Sequence, residues 1–214
     1  MGMKVFILSV IMFICLSCPL VFAVQLTTST THPAGAFSVT TTTIDSKGTN
    51  DDGVDDTWGA AVQSLNFGAL KEVSGVDPAT GAWVVFLPAN NSYFALDCGF
   101  SGGGYTSGKS ISVSYSTSPG PNGDLLGKRV ILTYKYVTGS GKNTTDNTLT
   151  GVDSPDLISK PKVISMDQLK DGWLRIYAGI YDGKDTALKS KGATTFGPAS
   201  PAGDYKGTLT IDLL

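Results

Sequence analysis

The last stretch of the chain alternates. Leu209, Ile211 and Leu213 fall on one side, and Thr208, Thr210 and Asp212 on the other. A period of two puts alternate side chains on opposite faces of a sheet, so residues 204–214 read as a half-buried β-strand that closes a core. The Gly- and Pro-rich residues 197–203 before it cannot continue a regular element. The same period recurs upstream. Ile111, Val113 and Tyr115 alternate with serines, and Val130, Leu132, Tyr134 and Tyr136 oppose Ile131, Thr133 and Lys135. Leu65, Phe67 and Ala69 also share a side. Over residues 172–181, Trp173, Arg175, Tyr177 and Gly179 lie on one face and Leu174, Ile176, Ala178 and Ile180 on the other. Both faces are large, which predicts a central strand with one face in the core and the other under a loop or a partner.

Residues 37–44 are β-branched and suit a strand. The segment Asp77-Pro78-Ala79-Thr80-Gly81 predicts a turn. Trp83-Val84-Val85-Phe86-Leu87 reads as a buried strand, with residues 92–98 returning as its hairpin partner. A single helical turn is expected at 166–170, capped by Ser165. Residues 154–161 read as a connector, and 186–195 as a polar loop or weak edge strand. The sum is an all-β chain of about nine or ten strands, a sandwich or a barrel.

The N-terminus reads as a secretory signal. Lys4 is its only charge, residues 5–18 are apolar, and Val21 and Ala23 sit where a signal peptidase requires small residues. The expected organisation is a signal peptide at 1–23, a flexible Thr-rich leader at 24–35 and a β-domain at 36–214. The apolar run is short for a bilayer span, so no membrane span is expected after cleavage. The expected location is secreted, periplasmic or cell surface. Lipidation at Cys18 is the lesser alternative, because Cys15 stands where Leu usually does.

Composition removes several function classes. The chain has 16 basic and 18 acidic residues, a small and scattered charge that argues against nucleic acid as a partner. Only Cys98 remains after the signal, so no internal disulfide forms; alternation makes it a buried apolar side chain, the alternative being a reactive thiol or a link between chains. The single histidine, His32, lies in the leader, a poor scaffold for a catalytic triad or a zinc site. Most aspartates sit in turns beside Gly and Pro, and Glu72 is the only glutamate. No enzyme is expected. One loop, 45–56, is acidic enough for a calcium candidate, with Asn50, Asp52, Asp55 and Asp56 as oxygen donors. Gly48 and Gly59 stand where that loop type needs an Asp and a bidentate Glu, so a solvated turn is the competing reading. Trp58 and Tyr105 are the candidate glycan contacts.

Two stretches carry a family resemblance. Ser64-Leu65-Asn66-Phe67-Gly68, and Pro201-Ala202-Gly203-Asp204-Tyr205-Lys206-Gly207-Thr208-Leu209-Thr210-Ile211, resemble bacterial spore-coat-U-like and fimbrial (pilin-like) secreted domains. The family's usual cysteine pair is missing, and Leu213 stands where chaperone–usher pilins often carry an aromatic residue. The resemblance implies an immunoglobulin-like β-sandwich of mostly antiparallel strands at the cell surface, with assembly by strand exchange. The function expected is therefore a structural or surface protein of the bacterial envelope, partnered by copies of itself or by another envelope protein. The residues of the exchange site would be Leu209, Ile211 and Leu213. The alternative is a carbohydrate-binding module or a calcium-steadied adhesion module.

Overall fold

In the computed structural model, the terminal alternation lies inside one of two six-stranded sheets. The structure describes residues 23–29, 37–45, 57–77, 81–89, 93–100, 108–117, 122–138, 153–167 and 172–214. The first sheet holds β1 (Ala23–Ser29), β4 (Ser64–Asp77), β5 (Gly81–Pro88), β7 (Ser110–Ser116), β10 (Lys162–Ser165) and β12 (Tyr205–Leu213). Its spatial order is β10-β7-β12-β1-β4-β5. The second holds β2 (Phe37–Asp45), β3 (Thr57–Val62), β6 (Tyr93–Phe100), β8 (Val130–Thr138), β9 (Asp156–Leu157) and β11 (Gly172–Ile180). Its order is β3-β2-β6-β11-β8-β9. Two short helices, α1 (Gly123–Leu126) and α2 (Thr186–Ser190), complete the described elements. The chain is all-β, as its periodicity predicts.

The inward rows build one core from both sheets. Leu209 and Ile211 of β12, Ile111 and Val113 of β7, and Leu65 and Phe67 of β4 join Phe94, Leu96, Leu174 and Ile176 of the second sheet. Phe67 meets Phe94 edge to face at 4.9 Å across the gap. Strand β11 is central, between β6 and β8, and both its faces are covered: Leu174, Ile176 and Ala178 in the core, Arg175 and Tyr177 buried on the other side.

Four local expectations change. Residues 24–29 are not a flexible leader: Val24 and Leu26 are fully buried, and the threonines after them suit a strand. Residues 30–36 lie outside the described residues. Strands β5 and β6 are not a hairpin, because the chain crosses between sheets after Pro88 and β5 pairs with β4 instead. The segment after Asp185 is a helix rather than a loop or edge strand. The Asp185 carboxylate accepts from the Ala187 and Leu188 amides at 2.8 and 3.1 Å, and Leu188 is buried beneath the turn. Finally, Ala69 is exposed and Leu70 buried, because a bulge at Gly68 (φ 67°) reverses the phase of β4.

Candidate functional site

The element that organises the first sheet is its first strand. Residues 24–29 of β1 run parallel to 205–210 of β12, with Val24 beside Tyr205 and Ser29 beside Thr210. On the other side, Ala23 to Thr27 run antiparallel to β4, from Ala69 back to Ser64. Every other described strand pair is antiparallel. Among the described residues β12 and β4 do not pair with each other, so β1 alone joins the β10-β7-β12 part of the sheet to β4-β5. Its main chain is laddered to both neighbours. Val24 and Leu26 enter the core, each contributing about 1.5–3 kcal/mol by burial. The Thr28 hydroxyl donates to the Gln63 carbonyl at 2.8 Å.

The neighbour of β1 is shaped by one aromatic ring. Leu26 lies beside Gly207 of β12, and the ring of Tyr115 from β7 covers that glycine. A Cβ at Gly207 would stand 2.5 Å from Tyr115 Cε2. The Tyr115 hydroxyl donates to the Gly123 carbonyl at 2.7 Å. Burial, and then the negative charge of Asp124, push its pKa up to about 12.

The outer face of the second sheet carries buried charge. Thr40, Asp97, Arg175 and Lys135 lie in one cross-strand row over β2, β6, β11 and β8. Arg175 Nε donates to Asp97 Oδ1 at 2.7 Å and Nη2 to Oδ2 at 3.4 Å, a two-point pair with Arg175 fully buried. Burial alone would lower the Arg175 pKa, but the hydrogen bond and charge of Asp97 outweigh it and raise it. Along the same face, Tyr93, Tyr177, Ile131, Thr133 and Pro155 line a cavity of about 130 Å3 beside Gly179. Cys98 points the other way, into the core. Burial first, then Asp97, push its pKa upward, so it stays a thiol.

Of the residues singled out in the sequence, Leu209 and Ile211 are fully buried and Leu213 partly so, all on the inner face of β12. They pack in the chain's own core rather than at an open edge. Asn50, Asp52, Asp55, Asp56, Tyr105 and His32 lie outside the described residues. The backbone of Trp58 sits in β3 opposite Ile44. Among the described residues there is no group of three His, Cys, Asp or Glu side chains able to hold a metal, and no helix long and apolar enough to cross a membrane. The sequence reading missed the Asp97–Arg175 pair. Its signal was present, a charge inside each of two apolar strands, but nothing in a single sequence joins the two. No known family model, curated protein or solved structure matches the chain.

Proposed function

We propose that the chain is an exported structural or surface protein of the bacterial cell envelope, pilin- or coat-like, with an immunoglobulin-like β-sandwich that assembles by exchange of β1. The observation that carries this reading is the place of β1: the first described strand, laddered between β12 and β4, with Val24 and Leu26 in the core. A main-chain ladder is satisfied equally by a strand of the same chain or of a neighbour. Seven residues, 30–36, separate β1 from β2, which lies in the opposite sheet. In an assembly, residues 24–29 of one copy lie between β12 and β4 of the next. The row Leu209, Ile211 and Leu213 then keeps its core packing, and the exchanged strand supplies Val24 and Leu26 beside it.

The test is the mass of the mature protein in solution. Exchange gives oligomers that grow with concentration. A chain lacking residues 24–29 forms none, and takes up a synthetic peptide of that sequence. A mature protein that stays monomeric at every concentration overturns the proposal.

A further inference from the structure

The outer face of the second sheet opens into a cup at Gly179, near the end of β11. Gly179 pairs with Ile131 of β8 and has an ordinary φ. A Cβ built on it would meet Tyr93 Cβ at 3.7 Å, an ordinary contact. Neither the backbone nor the packing therefore calls for glycine, although glycine weakens a strand. What the missing side chain leaves is the cavity of about 130 Å3. Tyr93 and Tyr177 line it, their rings 6.1 Å apart and tilted by 52°, together with Ile131, Ile180, Thr133 and Pro155.

We propose that this cup holds one neutral pyranose unit of a glycan. Three features select that class. The first is size: a cavity of about 150 Å3 takes benzene, so this one fits a single six-membered ring, with its substituents left at the mouth. The second is the lining. Tyrosine and aliphatic side chains suit the C–H face of a sugar ring, and a few polar groups then fix its orientation. The third is the rim beside Pro155. Lys191 Nζ donates to the Pro155 carbonyl at 3.0 Å and lies 3.6 Å from Asp156 Oδ2, both side chains partly exposed. The Thr133 hydroxyl donates to the Asp153 carbonyl and keeps its own lone pairs as acceptors. An ammonium beside a carboxylate offers both donor and acceptor, and a sugar hydroxyl uses both. Their opposite charges cancel, so the rim selects neither an anion nor a cation. A purely apolar occupant would gain nothing from it. The site is separate from Trp58 and Tyr105, and it does not depend on the exchange of β1.

The experiment titrates the isotope-labelled mature chain with the methyl pyranosides of glucose, galactose and mannose, followed by NMR. At least one of them gives saturable shifts at the amides of Tyr93, Thr133 and Gly179. Gly179→Val fills the cup and weakens that binding at least about tenfold, while thermal unfolding shows no loss of stability. Asp156→Asn with Lys191→Met alters only the partly exposed rim and also weakens binding at least about tenfold, so the proposal stays testable if the filled variant does not fold. A parallel titration with p-cresol stands for an aromatic side chain as the occupant. No saturable shift with any pyranoside, tighter binding of p-cresol than of every pyranoside, or binding unchanged in the folded variants overturns the proposal.

Discussion

Val24 lies in parallel register with Tyr205, so the first strand of the protein is seated against the beginning of its last. The contact joins residues 181 positions apart in a chain of 214.

Leu26→Ala is expected to lower stability by about 2–5 kcal/mol, through lost burial and the cavity left between the sheets. Thr27→Ala, on the outer side of the same strand, changes it by less than about 0.5 kcal/mol. Urea unfolding measures both. Similar values for the two would mean that β1 does not contribute to the core.

The Asp97–Arg175 pair predicts a strong asymmetry. Asp97→Ala leaves a buried guanidinium without its carboxylate and is expected to cost about 3–5 kcal/mol. Replacing both, as Asp97→Leu with Arg175→Met, is expected to cost far less, because two apolar side chains need no partners. A double-mutant cycle in thermal or urea unfolding separates these outcomes. Additive costs would show that the pair is not a unit.

Gly207→Ala drives a methyl group into the Tyr115 ring, with an expected loss of about 1–3 kcal/mol. Tyr115→Ala in the same chain removes the clash and recovers part of that loss. Without recovery, the strain lies elsewhere in β12.

The pH dependence follows from the raised pKa of Tyr115, about 12 against an ordinary 10.0. Folding favours the neutral phenol. Its contribution is complete below the unfolded value and is lost as pH rises through the folded one. The stability gap between the wild type and Tyr115→Phe is thus expected to be constant below pH 10.0 and to shrink toward pH 12. A gap that widens over that window would reverse the assignment.

Much of this architecture was legible in the chain. The alternations at Ile111–Val113–Tyr115 and Leu209–Ile211–Leu213 report burial directly, and both rows point into the core. The two large faces of β11 announced a central strand, and the strand is central. Other features were not legible because they depend on tertiary partners. A Thr-rich stretch such as 24–29 reads the same whether it is solvated or inside a sheet; only β12 and β4 distinguish the cases. Apolar strands such as β5 and β6 do not encode which sheet they join, so two of them close in sequence read as a hairpin. The phase reversal at Leu70 rests on a left-handed glycine, Gly68, whose φ no periodicity reveals.

The most direct test mixes two forms of the mature chain, one carrying Thr27→Cys and the other Thr208→Cys. These positions lie side by side on β1 and β12. After the two forms are unfolded together, refolded and oxidised, strand exchange predicts a disulfide joining one copy of each, seen as a mixed covalent dimer. The result that contradicts it is a mixture with no link between copies, while a single chain carrying both cysteines closes its disulfide internally.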